Sequence, residues 1–364
     1  MRPVCTAVPQ TGPPLPCIRP RTERPPRMTL PRLVVLSRRG RATLDPAHWA
    51  ELERHADVLV VPCERAPDRA DAIRLLAGAD LLAATNLCLP AVDADLLDAL
   101  PGLRGIILYA TGYDHLDIAL LRSRGVGLSI LPGYATTAVA EHCLALLFGL
   151  ATRLHLAHDR SRGAAPPTVS LRGVELGGRT LGVVGLGRIG GEVARMARAL
   201  GMRVRGTDTD PAAAARAAAS GVETTDLAGV LAADAVAVCA SHTFGAPPVI
   251  GAAELAALPE GALLVNVARA SLVDTEAAVA AVRGGRLRGY AVDDAVVDPA
   301  RDGDLLVQGR VLQTGHSAWW RDETLDRGAR MWGERMLAAV CGAPLDPVTW
   351  PEHAPAALAP AVGA

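Results

Sequence analysis

An α/β protein built on two open, parallel sheets is what this sequence predicts, on three observations. Short apolar runs of about five residues recur along the chain, bounded by turn residues. Runs of that length suit strands buried on both faces of a parallel sheet. The segments between them carry apolar residues at three- and four-residue spacing, as helices do. The alternation occurs twice, in a first series of five runs and a second of six, separated by a long apolar helix and a polar loop. Strands that alternate with helices in this way pair in parallel through crossover connections.

The first series comprises Leu33–Leu36, Val58–Val61, Leu81–Ala84, Gly105–Tyr109 and Gly127–Leu131. Pro132-Gly133 breaks the pattern, and a helix is predicted from about Thr136 to Leu154. Val139, Leu144, Leu146, Leu147 and Leu150 make it apolar over much of its surface, so it belongs at a domain or subunit interface. A polar loop with prolines runs from Asp159 to Gly178. The second series is Leu181–Val184, Met202–Gly206, Ala235–Cys239, Leu263–Val267, Gly289–Val292 and Val311–Gln313. A last helix, about Asp322 to Val340, is expected to return to the first domain. The division is therefore 28–132 with 319–343 for the first domain, and 133–318 for the second. Residues 1–27 are rich in proline and arginine and are expected to be disordered, or to precede a natural start at Met28. Residues 344–364 are expected to be a loose tail.

Composition removes several functions. The 364 residues carry a net charge of −1, which attracts neither nucleic acid nor an anionic membrane. No apolar run approaches the roughly 18 residues of a spanning helix. The seven cysteines are scattered with no Cys-x-x-Cys pair, which suits a reducing cytoplasm and gives no metal site. All 37 basic residues are arginine. Without lysine there is no amine for a Schiff base, and no phosphate-binding lysine for a P-loop or kinase site.

The most informative stretch is TLGVVGLGRIGGEVARMARALGMRVRGTD. Gly185, Gly187 and Gly190 form G-x-G-x-x-G between an apolar strand and an amphipathic helix, and a second strand ends at Asp208. In that context Gly185 permits a tight turn, Gly187 lets backbone N–H groups approach a pyrophosphate, and Gly190 lets helix and strand pack closely. The helix N-terminus favours the phosphates' charge. Asp208 can accept hydrogen bonds from the adenosine ribose and would repel a 2′-phosphate, so the expected cofactor is NAD and the second domain a Rossmann domain. Nicotinamide enzymes that depend on a catalytic lysine, such as the short-chain dehydrogenases and aldo-keto reductases, do not fit a chain without one.

Three residues then suggest chemistry. Arg269 follows a strand in LLVNVARASLVD, where a guanidinium can grip a carboxylate through two hydrogen bonds. His316 follows the last strand in VLQTGHSAWW, and an imidazole can exchange the proton that accompanies hydride transfer. Asp298, in GYAVDDAVVDP, is the carboxylate that could orient the imidazole, although it precedes Pro299 and suits a turn equally well. Asp294 competes for the same role. If Asp298 holds it, Asp298→Asn shifts the pH–rate profile of reduction downward.

At these residues the chain resembles the D-2-hydroxyacid dehydrogenase family, over about Leu33 to Val340. GRTLGVVGLGRIG, LLVNVARASLVD and TGHSAWW are similar to that family's cofactor, arginine and histidine segments. LYATGYDHLDI and LPGYATTAVAEHCLALL resemble the two segments that border its cleft. The resemblance implies a flavodoxin-like substrate domain, a Rossmann NAD-binding domain, an active site in the cleft between them, and a homodimer. It implies that Arg269 binds and polarises a small 2-oxo acid, that His316 is the acid/base, and that the backbone of Thr111-Gly112 binds the substrate carboxylate. It places Arg188-Ile189 along the pyrophosphate, Val267-Ala268 beside the nicotinamide ribose and Asp293 at the nicotinamide end. Three departures stand out: Asp298 replaces the family's glutamate, Gly315 its usual proline, and Ala295-Val296 its usual Phe-Glu. Reduction of glyoxylate or hydroxypyruvate competes with phosphoglycerate oxidation as the expected activity, with a phosphonate analogue more distant. An NAD(H)-binding sensor of the corepressor kind is the reading from another class.

Overall fold

The computed structural model describes residues 30–242 and 246–345. The expectations for 1–27, and nearly all of that for the C-terminal tail, lie outside the described residues. The first sheet holds β1 (Arg32–Ser37), β2 (Asp57–Pro62), β3 (Leu81–Thr85), β4 (Gly105–Tyr109) and β5 (Gly127–Ser129) in the order β2-β1-β3-β4-β5. The second holds β6 (Thr180–Val184), β7 (Arg203–Thr207), β8 (Glu223–Thr224), β9 (Ala235–Val238), β10 (Ala262–Asn266), β11 (Leu287–Val292) and β12 (Val311–Gln313) in the order β12-β11-β10-β9-β6-β7-β8. All the ladders are parallel. The first order is that of a flavodoxin-like sheet and the second that of a Rossmann sheet with one added strand. The added strand is β12; β8 holds the third place in the Rossmann order, and its two residues are exposed and polar, so no apolar run announces it.

The strands form because their residues are apolar on both faces. Leu33 to Leu36, Leu81 to Ala84 and Ile106 to Leu108 are fully buried. So are Val183-Val184 and Val236, with Ala237 and Val238 nearly so. The long helix Thr136–Thr152 buries ten of its seventeen residues and leaves one exposed stripe, Thr137, Glu141, Ala145, Phe148 and Thr152. It packs on β10, β11 and the helix Arg188–Ala199 of the second sheet. It stops two residues earlier than its apolar pattern suggests, because Arg153 takes the left-handed conformation (φ 57°) and a second helix, Leu154–Ser161, leaves at an angle. Among the described residues no single helix is long and apolar enough to cross a membrane.

The last helix, Asp322–Val340, packs on β3, β4 and the helix Pro46–His55 of the first sheet. Trp332 anchors it: the indole is fully buried and its Nε1 donates to the Ile107 carbonyl at 3.0 Å. Truncating a buried aromatic of this kind costs about 3–5 kcal/mol. Tyr109 adds a second tie, its hydroxyl donating to the Leu325 carbonyl at 3.1 Å. The chain order in each sheet reverses at one place, between β1 and β3 and between β6 and β9. Open α/β sheets bind ligands at the carboxyl ends of the strands beside such reversals.

Candidate active site

The turn after β6 shows why three glycines recur there. Gly185 has φ 91°, and a Cβ on it would lie 2.5 Å from the Ala240 backbone. A Cβ on Gly190 would lie 1.8 Å from the Gly185 carbonyl oxygen. These two glycines are required by the fold. Gly187 is different, because a Cβ there would meet no protein atom within 4 Å. It begins the helix Arg188–Ala199 without a side-chain cap, so the first-turn N–H groups face an open cradle. An anion such as the cofactor pyrophosphate fits that cradle. Asp208, at the end of β7, accepts from the Leu186 N–H at 2.6 Å and the Asp210 N–H at 2.8 Å. The carboxylate is thereby fixed beside the glycine turn, with acceptor capacity left for ribose hydroxyls. Arg188 is exposed and Ile189 half-buried on the first turn of the helix. Val267 is buried and Ala268 half-buried at the end of β10. The residues present fit NAD.

Arg269 is placed by Asn266, the last residue of β10 and 1% exposed. Asn266 accepts from the Ala268 N–H at 3.0 Å and donates to the Arg269 carbonyl at 2.7 Å, which bends the chain outward. The guanidinium reaches the loop after β4. Its Nε donates to both oxygens of Asp114, at 2.9 and 3.1 Å, and its Nη1 donates to the Ala268 carbonyl at 3.1 Å. Burial alone would raise the Asp114 carboxyl, but the hydrogen bond and charge of Arg269 outweigh it and hold it below the usual range. The sequence places Asp114 at the mouth of the cleft, in the stretch Ala110 to Asp114, but does not show its pairing with Arg269, because a carboxylate in a loop has no periodic signal. Its one hint was its place three residues after Thr111. The Thr111 hydroxyl turns away to the Leu131 carbonyl (2.9 Å), which leaves backbone rather than side chain on offer there.

Gly112 lies against the arginine: a Cβ on it would be 1.8 Å from Arg269 Nη2. Nη2 is the end of a flexible side chain and can retreat. Gly112→Ala is therefore expected to melt at the temperature of the parent while kcat/KM for the acid falls by roughly 10²-fold, since an error of 1 Å in a positioning group costs about that much. Melting curves beside initial rates check it, and an unchanged KM and kcat would show that Arg269 does not work from this position.

His316 sits on a turn of unusual backbone, where Gly315 (φ 61°) and His316 (φ 63°) are both left-handed. The buried Asp293 holds this turn. It accepts from Thr314 Oγ1 (2.7 Å), the Ser317 N–H (2.9 Å) and the Ala318 N–H (3.1 Å). The sequence reading set Asp293 toward the nicotinamide; the structure turns its carboxylate to the histidine turn. His142 on the long helix joins the same group, with Nε2 3.0 Å from Thr314 Oγ1 and Nδ1 accepting from Arg321 at 3.1 Å. Burial lowers the proton affinity of His142, with the Arg321 charge acting in the same direction.

The expected partner of His316 is displaced. Asp298 does not reach it: Asp298 is exposed and caps the helix Pro299–Val307, accepting from the Ala300 N–H at 2.8 Å. An aspartate before a helix-opening proline is a good N-cap, and that local bond wins. The carboxylate beside His316 is Asp294, with Oδ1 3.3 Å from Nδ1. Its other oxygen accepts from the Ala270 N–H at 3.0 Å, so Asp294 ties the arginine and histidine segments together. The hydrogen bond to Asp294 raises the His316 proton affinity above the ordinary value, against burial and the nearby Arg269 charge. Arg269, Asp294 and His316 thus follow three neighbouring strands, β10, β11 and β12, and Arg269 meets Gly112 and Asp114 in the loop after β4.

The chain is similar to known proteins in sequence and fold. Residues 144–318 match the family model described as D-isomer specific 2-hydroxyacid dehydrogenase, NAD binding domain. The chain is 31% identical over 302 residues to a glyoxylate reductase of Korarchaeum cryptofilum, covering 79% of this chain and 88% of that protein. It is 33% identical over 277 residues to a D-3-phosphoglycerate dehydrogenase of Mycobacterium tuberculosis, covering 76% of this chain and 52% of that one. It therefore spans about half the length of the phosphoglycerate dehydrogenases that it matches. A crystal structure of a Thermus thermophilus protein superposes with a TM-score of 0.72 at 32% identity, covering 87% of this chain and 99% of that one. On the family-model match and on a relative 31% identical that it covers over 88% of its length, the chain belongs to the D-isomer specific 2-hydroxyacid dehydrogenase family.

Proposed function

We propose that the protein is an NAD-dependent oxidoreductase acting between a small 2-oxo acid and its 2-hydroxy acid. The observation that carries this reading is the meeting of Arg269, Asp294 and His316 at three adjacent strand ends, beside a glycine cradle fit for a dinucleotide. When bound, NAD supplies or accepts the hydride at C2. Arg269 has donors left on its terminal nitrogens and holds the acid's oxygens, polarising the carbonyl. The backbone at Thr111 and Gly112 offers N–H groups to the carboxylate. His316 gives a proton to the carbonyl oxygen in reduction and takes it back in oxidation, and Asp294 on Nδ1 leaves Nε2 for that exchange. Val267 and Ala268 line the nicotinamide side, and Arg188 and Ile189 the phosphates. Asp208 favours NAD over its 2′-phosphorylated form by charge repulsion.

Among substrates, the names of the relatives support glyoxylate, hydroxypyruvate and 3-phosphohydroxypyruvate. Purified protein is expected to oxidise NADH with at least one of these, faster than NADPH, at initial rates read from NADH absorbance. Confirmed NADH binding with no turnover on any of them would overturn the reading in favour of a sensor. A cytoplasmic homodimer is part of the proposal. It is supported by the scattered cysteines and by the exposed Phe148 and Leu154 at the end of the long apolar helix.

A further inference from the structure

A cavity of about 530 Å³ opens at the other edge of the second sheet, where the strands begin. Arg288 is the second residue of β11, whose far end carries the candidate active site. Five residue steps along the strand separate it from Asp293, roughly 16 Å. Four arginines line the cavity, Arg153, Arg172, Arg288 and Arg310, together with Thr168 and Ser170. No carboxylate lines it. The arginine ion pairs found elsewhere among the described residues do not include any of these four.

Arg153 is the informative member. It is only 8% exposed, and the one hydrogen bond of its guanidinium among the described residues runs from Nη2 to the Gln308 carbonyl. Its Nε is buried with no partner, as is the Nε of Arg288. Arg310 and Arg288 donate to backbone carbonyls, which orient the forks and cancel none of their charge. Guanidinium groups stay protonated in proteins, so the buried Arg153 and the half-buried Arg288 and Arg310, with the exposed Arg172 at the rim, gather several charges that no carboxylate of the cavity compensates. Such charges are retained at a cost unless an anion joins them. The fork of a guanidinium matches the oxygens of a phosphate, and the two hydroxyls supply further donors. The volume is that of a small-molecule site and larger than a bare ion requires. We propose that this cavity is a binding site for a phosphate monoester with a small organic body, separate from the cofactor and substrate cleft.

The test uses protein saturated with NADH, so that the dinucleotide cradle is filled. Inorganic phosphate and glycerol 2-phosphate are compared with chloride at matched ionic strength, by thermal melting and titration calorimetry. The phosphate monoester is expected to raise the melting midpoint by several degrees at saturation. The Arg288→Gln/Arg310→Gln protein is expected to lose that rise and to bind at least tenfold more weakly, with its turnover on 2-oxo acids unchanged. Ser170→Asp, which places a carboxylate at the exposed rim and leaves all four arginines in place, is expected to abolish binding as well. An equal response to chloride, or an equal phosphate response in the parent and both variants, would overturn the proposal. So would sedimentation showing that the double variant falls from a larger to a smaller oligomer with no phosphate effect in the parent, because the arginines would then be holding a second copy's carboxylates. None of these readings depends on which 2-oxo acid the enzyme turns over.

Discussion

His316→Gln is expected to bind NADH as the parent does and to reduce 2-oxo acids about 10²–10⁴ times more slowly, the usual worth of a positioned general acid. Glutamine keeps polar bulk at the turn and removes the titrating group. A loss shared equally by kcat and kcat/KM is the expected form, since the proton moves only in the transition state. A variant that retained a tenth or more of the parent rate would remove His316 from the mechanism.

The two candidate carboxylates, Asp294 and Asp298, sharpen this result. Asp294 holds the imidazole above its ordinary proton affinity, so the acid form competent for reduction persists to higher pH. Asp294→Asn is expected to move the alkaline limb of kcat/KM for reduction to lower pH. Asp298→Asn is expected to leave that limb in place, because Asp298 caps a helix and touches no imidazole. The same pair acts on stability. Asp294 is held below the usual carboxylate range: burial opposes this, but the bonds from His316 and Ala270 prevail. Its contribution is present above about pH 4 and disappears as the carboxylate protonates in acid, while that of His316 is full below about pH 6.5 and is lost as pH rises through its raised value. Denaturation midpoints should therefore show the Asp294→Asn deficit most strongly between about pH 4 and 6.5. A shift of the alkaline limb in Asp298→Asn, with none in Asp294→Asn, would return the role to Asp298.

Removing Asp293 is expected to be the most damaging change to stability near the site. Asp293→Ala strands three donors, Thr314 Oγ1, Ser317 N and Ala318 N, in a place where the carboxylate itself is only 8% exposed. Each buried donor left unpaired costs about 1–3 kcal/mol, so a loss of about 3–5 kcal/mol is expected after some relaxation. Turnover should fall with it, since the same bonds hold the left-handed turn beneath His316. Asp293→Asn keeps one acceptor oxygen and should recover part of both. Chemical denaturation followed beside activity checks the pairing. Full stability in Asp293→Ala, with only the affinity for NADH reduced, would assign the residue to the cofactor instead.

How far the sequence revealed this molecule can be seen at individual residues. Both parallel sheets were legible because buried strands such as Leu81–Ala84 are apolar throughout, and the last helix was legible from Asp322 to Val340. The glycine turn was legible because three spacings coincide with a strand, a helix and an acid. The arginine and histidine were legible by position after a strand. What spacing does not carry is the path of a turn. Asp294 and Asp298 are four residues apart, and only the folded loop decides which one faces His316. Asp114 depends on the approach of two sheets distant in sequence. The arginine cavity was hidden for a similar reason: its members come from a helix end, a loop and the starts of two strands.

The pair of left-handed residues at 315 and 316 closes a route that protein engineers often use. Replacing a chain's odd residues one by one with those common among relatives is a productive way to stabilise a fold. Here the resemblance invites Gly315→Pro and Asp298→Glu. Proline locks φ near −65°, and Gly315 sits at 61°, so the first exchange breaks the turn that carries His316. The second lengthens a helix cap and brings no carboxylate to the imidazole. Each step taken alone goes downhill from the present protein. A library that samples them singly would score both as harmful and would keep this active site in its own local optimum.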